Sequence, residues 1–167
     1  MPRSKDPLTA AVTSYLWPYL KNLGFKKVSP RKYAREASDT IQQLWVDANG
    51  FGGKSQTLII LCVNPVYEGQ TGYKDPCGFR ICNDKTWDMS THEKADRAMQ
   101  KVVQALNETE LEKLNAISSI EGILESLKDF WRIEWYEKSK ELAKRWSSND
   151  PELMQKATEN REKYIGR

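Results

Sequence analysis

The chain is short of the residues that carry chemistry. Histidine occurs once in 167 residues, at His92, and cysteine three times, at Cys62, Cys77 and Cys82. No spaced set of nucleophile, base and orienting group can be assembled from these, and no glycine-rich phosphate loop is present, so no reaction can be read from the sequence. No stretch approaches the ~18 uninterrupted apolar residues of a membrane span. Met1 to Pro7 is polar and holds two prolines, the opposite of the apolar core of a secretory signal. These absences predict a cytoplasmic protein without a membrane partner, in which an odd set of three cysteines stays as thiols.

The few reactive side chains do not converge. Cys77, Cys82 and His92 fall within sixteen residues, and Cys62 lies on a neighbouring apolar run, a zinc set by ligand type. Structural zinc sites, however, bring two cysteines roughly two to four residues apart on a tight knuckle. Cys77 and Cys82 instead bracket a predicted strand, and buried small side chains are the better reading. His92 stands alone in the first turn of a helix and reads as a surface residue. Asp84 and Asp88 flank Trp87 as a formal carboxylate pair, but acids between a strand and a helix usually form turns and caps. Nothing calls for catalytic residues, a metal or a cofactor.

Charge is biased in one place only. Residues 1 to 93 hold 12 Lys and Arg against 9 Asp and Glu, and residues 94 to 167 hold 14 against 14. Lys21, Lys26, Lys27, Arg31, Lys32 and Arg35 lie in a stretch of fifteen residues that contains no acid. Phe25 and Tyr33 sit among them, a combination that can stack bases while cations hold phosphates. A net charge of +3 is low for a dedicated nucleic-acid binder, so Phe25 and Tyr33 are expected in the core of a first hairpin.

What the chain does have is a change of rhythm near Trp87. Before it come short apolar stretches broken by Gly, Pro and Asn; after it, helical periodicity. Asp6 as cap, Pro7 at the first position and the spacing of Leu8, Val12, Tyr15, Leu16, Tyr19 and Leu23 predict a helix over 7–24 ended by Gly24, with a kink at Pro18. Strands are predicted at Phe25 to Val28 and Lys32 to Arg35 around Ser29-Pro30, then at Ile41 to Ala48, Gln56 to Val63 and Phe79 to Cys82. Leu58 to Val63 is apolar on both faces and so central. Glu68 to Gly78 is the longest loop.

Ser90 with Glu93 and Ser118 with Glu121 predict two capped helices, with a short helix from Thr109 to Asn115 between them. The second is expected to run long, through Phe130, Trp131, Trp135, Leu142 and Trp146, and Asp150-Pro151 opens a last, weakly apolar helix that is expected to fray. The predicted fold is a single α+β domain over 1–167, an antiparallel sheet of about four strands (25–86) covered by the N-terminal helix and a helical part over 90–165.

Leu20 to Lys27 (Leu-Lys-x-Leu-Gly-Phe-Lys-Lys), Tyr33-x-Arg35, the glutamine-bearing strand Gln42-Gln43-Leu44-Trp45, Phe79-Arg80-Ile81, Asp84-x-x-Trp87 and Ser118 to Leu124 together resemble a bacterial domain-of-unknown-function family over roughly Leu8 to Leu127. The resemblance implies a small α+β domain and brings no activity or catalytic residues with it.

Two surfaces remain as functional candidates. Phe130, Trp131, Trp135, Tyr136 and Trp146 crowd one stretch, and Trp131 and Trp135, four apart, are expected to share a helix face with Tyr136 and Arg132 beside them. Aromatic and Arg side chains anchor protein contacts, so Trp131, Trp135 and Tyr136 are the predicted protein interface, for a partner or for self-association, as in an accessory or immunity-type module. The alternative is a small-molecule or nucleic-acid site at the basic hairpin, lined by Arg35, Gln43, Trp45 and Arg80.

Overall fold

The computed structural model describes residues 6–50, 52–68, 77–82 and 85–166. Asp84 and most of the predicted loop Glu68 to Gly78 fall outside these. Among the described residues five strands pair antiparallel in chain order: β1 Lys26–Ser29, β2 Lys32–Ala37, β3 Thr40–Asp47, β4 Leu58–Pro65 and β5 Gly78–Arg80. The α+β class with an antiparallel sheet is as predicted, and the first hairpin supplies two of the five strands.

Register decides which side chains share a face. Leu44 stands opposite Tyr33 and Leu61, and Val46 opposite Ile59, so these point one way. They form the larger core with Leu8, Leu16 and Leu20 of the N-terminal helix and with Met99 and Val102 of α3 (His92–Ala105). Phe25 and Tyr33 belong to it, as expected. On the reverse face Ala34 and Ile41 join Val66 and Tyr67 under α7 (Pro151–Tyr164), whose Leu153, Ala157 and Tyr164 complete a second cluster. Arg161 Nε donates to Glu36 Oε1 at 2.7 Å and Asn160 Nδ2 to Val66 O at 2.9 Å. The last helix therefore packs on its own sheet, although its apolar positions are few.

The N-terminal helix runs as α1 (Pro7–Ala11), a π turn over Val12–Leu16 and α2 (Trp17–Asn22). Trp17 N donates to Val12 O in that turn, an i to i−5 bond. The wider turn sits directly before Pro18, whose missing amide a regular helix would have needed. A second π turn, Leu106–Glu110, joins α3 to α4 (Leu111–Ala116), so the predicted separate helix at Thr109 continues its predecessor.

Both predicted capping boxes are displaced by one residue. Thr91 caps α3 by accepting from Lys94 N at 3.3 Å, and Ser119 caps α5 (Ile120–Lys128) by accepting from Gly122 N at 2.9 Å. Ser90 binds Asp88 instead, and Ser118 donates to Leu114 O. The long helix expected from Ser118 is broken: α5 ends at Lys128 and α6 (Ile133–Ser147) begins after a turn over residues 129–132.

Candidate functional site

The sheet separates the four residues predicted to line a ligand pocket. Arg35 stands opposite Gln42 in the β2–β3 ladder, and Gln43 opposite Ala34 and Cys62, so Arg35 faces the larger core and Gln43 the reverse side. Trp45, Ile60 and Arg80 form one row on Gln43's face. The structure thus groups Gln43, Trp45 and Arg80 and excludes Arg35.

Arg35 is already committed. Its Nε donates to Gln42 Oε1 at 2.6 Å, Nη1 to Leu23 O at 2.7 Å and Nη2 to Asn115 Oδ1 at 3.2 Å, with the guanidinium 4.7 Å from the Phe25 ring centre. On the other face Trp45 Nε1 donates to Gln43 Oε1 at 3.2 Å, and Lys32 Nζ lies 4.5 Å from the Trp45 ring centre. Gln43 is buried, so Lys32 and the half-buried Trp45 and Arg80 are what this face offers to solvent.

The aromatic residues of the tail divide in the same way. Because the helix breaks at 129–132, Trp131 and Trp135 do not share a helix face. Trp135 and Tyr136 are half-buried against the larger core, whereas Trp131 is 76% exposed and Ile133 68%. Arg132 links the two tryptophans, its guanidinium 4.4 Å from the Trp131 ring centre and 4.7 Å from that of Trp135. Phe130 lies 5.6 Å from Trp135, so the corner rests on a packed base. Ile133 belongs to the exposed corner and was not anticipated, whereas Arg132, expected beside the tryptophans, is half-buried between their rings; the turn before Ile133 contains neither Gly nor Pro.

The three cysteines are thiols. Burial, with Cys77 nearby, pushes the Cys62 thiol up to about 12, and Cys77 Sγ lies 3.9 Å from Ser126 Oγ. Among the described residues no group of three or more His, Cys, Asp or Glu could hold a metal. His92 is half-buried rather than exposed, and its Nδ1 is buried without a partner among the described residues. Asp88 accepts from Lys94 and Ser90, which hold its carboxyl down at about 2; it is a turn former, as expected.

A cleft of about 100 Å³ lies where β4 meets α5 and α6, walled by Val63, Ile123, Leu127 and Trp135 and including Asn64. Sequence reading missed it. The available signal was Asn64 itself, a polar residue inside the apolar run from Leu58 to Val66.

No helix among the described residues is long and apolar enough to cross a membrane. No family model, curated protein or solved structure matches the chain.

Proposed function

We propose that the chain is a protein-binding module whose contact surface is the corner between α5 and α6. One observation carries this: Trp131 stands 76% exposed on a base of Phe130, Arg132 and Trp135. An aromatic of this size is worth on the order of 3 kcal/mol when a partner removes it from water. Trp and Arg side by side are the residue types that dominate protein contacts. Ile133 extends the apolar surface, and the ordered base lowers the conformational cost of docking.

The test is a photo-crosslinking amino acid placed at position 131 and, as control, at Lys156 on the outside of α7. A discrete adduct formed from position 131 alone supports the reading, whether the adduct is another protein or a second copy. No adduct from position 131, or the same adducts from both positions, overturns it.

A second reading places a polyanion or small ligand on the first hairpin, supported by Lys32 over Trp45 and by the exposed Lys26 and Lys27. Binding there requires affinity that falls steeply with salt and is lost in Lys32→Ala.

A further inference from the structure

One row of side chains crosses the reverse face of the sheet. Ser29 stands opposite Lys32, Lys32 opposite Trp45, Trp45 opposite Ile60 and Ile60 opposite Arg80. α7 packs on the Ala34 and Ile41 part of this face, and Trp45 belongs to neither apolar cluster. A tryptophan on the middle strand that joins no core is a large stacking surface left for something else.

Trp45 lines an open groove of about 480 Å³. The β1–β2 turn, through Ser29, Arg31 and Lys32, makes one wall, and the end of β3, through Asp47 and Asn49, the other. The indole is held in place, because its Nε1 donates at 3.2 Å to Oε1 of the buried Gln43. Lys32 is exposed and its Nζ lies over the ring, 4.5 Å from the centre, so that face of the indole meets the groove and not the protein interior. Arg31 and Lys32 form no ion pair among the described residues. Lys26, opposite Ala34, adds an exposed cation on the same face just outside the groove. Asp47 is the one acid in the lining, and its Oδ1 accepts from Asn49 N at 2.9 Å.

We propose that this groove binds single-stranded nucleic acid, an inference that rests on the second reading above and names its ligand. A base stacks on the Trp45 indole and displaces the Lys32 ammonium outward to a phosphate, while Arg31 and Lys26 hold neighbouring phosphates. Other anions use the lining less well. A simple anion leaves the indole unused, a mononucleotide leaves Lys26 unused, and a duplex keeps its bases stacked on one another and offers the ring no face. The net charge of +3 limits long-range attraction, so the stacking contact decides the affinity.

The experiment measures fluorescence anisotropy of labelled strands of eight nucleotides with the whole protein. The strands are oligothymidylate, oligouridylate, a stable abasic strand with the same phosphates, and a duplex of the same length. Oligothymidylate or oligouridylate is expected to bind at least tenfold more tightly than the abasic strand or the duplex, and the tighter of the two tells DNA from RNA. Its affinity is expected to fall with salt at a log–log slope of about −2, from three cations at ~0.7 each. Trp45→Leu is expected to weaken the base-bearing strand at least tenfold and leave the abasic strand unchanged, which a general loss of structure would not do. Lys32→Ala is expected to weaken both and to flatten the slope by about 0.7. Abasic strand or duplex bound as tightly as the base-bearing strands, or Trp45→Leu binding as the parent does, overturns the proposal. Equal binding of the abasic strand that is still lost in Lys32→Ala leaves the polyanion reading standing without this one; no binding of any strand removes both. Trp131→Ala is expected to bind as the parent does, so the groove and the protein-binding corner are told apart.

Discussion

Arg35 and Gln42 face each other across the β2–β3 ladder, and the guanidinium Nε donates to the Gln42 Oε1 at 2.6 Å. The pair is the centre of a joint. Gln42 passes its own Nε2 to Asn115 Oδ1 at 2.9 Å and to Ser118 Oγ, while Arg35 reaches Leu23 O at the end of the N-terminal helix. One sheet position thus holds the end of α2 and the end of α4. Charged hydrogen bonds in a half-buried setting are worth about 1.5–3 kcal/mol each and do not simply add, so Arg35→Ala is expected to cost about 3 kcal/mol. Arg35→Lys, which cannot reproduce the planar fork, is expected to cost about 1–2 kcal/mol. Urea denaturation measures both; a loss within ~0.5 kcal/mol for the alanine variant would show that the joint is dispensable.

Gly122 gives a substitution whose sign runs against helix propensity. It lies in the first turn of α5, where alanine is intrinsically better by about 1 kcal/mol. A Cβ there would stand 2.6 Å from the backbone oxygen of Ala116 and 3.1 Å from the Ile117 Cα. Both are backbone atoms, so the turn between α4 and α5 must shift. Gly122→Ala is expected to destabilise by about 1–3 kcal/mol, read as a lowered melting temperature. An unchanged or raised melting temperature would mean that the turn yields freely.

Acid should loosen the N-terminal helix. Burial pushes the Asp6 carboxyl up, but hydrogen bonds from Lys54 and Thr9 outweigh it and hold it at about 2, below the ordinary 3.8. A carboxyl lowered in the folded state binds its proton more tightly when unfolded, so the stabilisation is present above about pH 4 and is lost as pH falls through 2. Asp6→Asn keeps a good helix cap and removes the titration. Its stability between pH 4 and pH 2, followed by denaturant melts, is expected to fall less steeply than that of the parent. Parallel curves would assign the acid response elsewhere, Asp88 being the next carboxyl held low.

Strands were legible because Gly, Pro and Asn punctuate short apolar runs, and β4 announced itself as central by being apolar on both faces. Sheet faces were not. Ser38 and Asp39 make a two-residue turn, with Ser38 at φ 54°, which sets Arg35 against Gln42 rather than Gln43. A slip of one residue there moves every side chain to the other face, and nothing in the composition of Ser38-Asp39 fixes it. The caps were ambiguous for a related reason: Ser90 and Thr91, like Ser118 and Ser119, are adjacent hydroxyls, and backbone geometry chooses between them. The break at 129–132 carried no Gly or Pro, so the separation of Trp131 from Trp135, on which the proposed interface depends, was visible only in three dimensions.

The last helix supplies the sharpest contrast between neighbouring residues. Ala157 is fully buried against the reverse face of the sheet, while Thr158 beside it is exposed. An aspartate at 157 places an unpaired charge among Leu153, Tyr164 and Ile41, at a cost of about 3 kcal/mol or more. Thr158→Asp adds the same charge to solvent and is expected to stay within ~0.5 kcal/mol. Trp146 anchors α6 separately, through Nε1 to Asp39 Oδ2 at 3.2 Å and a ring contact of 5.3 Å with Tyr67. Ala157→Asp is therefore expected to release α7 while the β3–β4 ladder stays closed. Amide hydrogen exchange distinguishes the outcomes: protection lost over residues 151–164 and retained in β3 and β4 fits a helix docked as its own unit, whereas loss in both means that α7 and the sheet melt together.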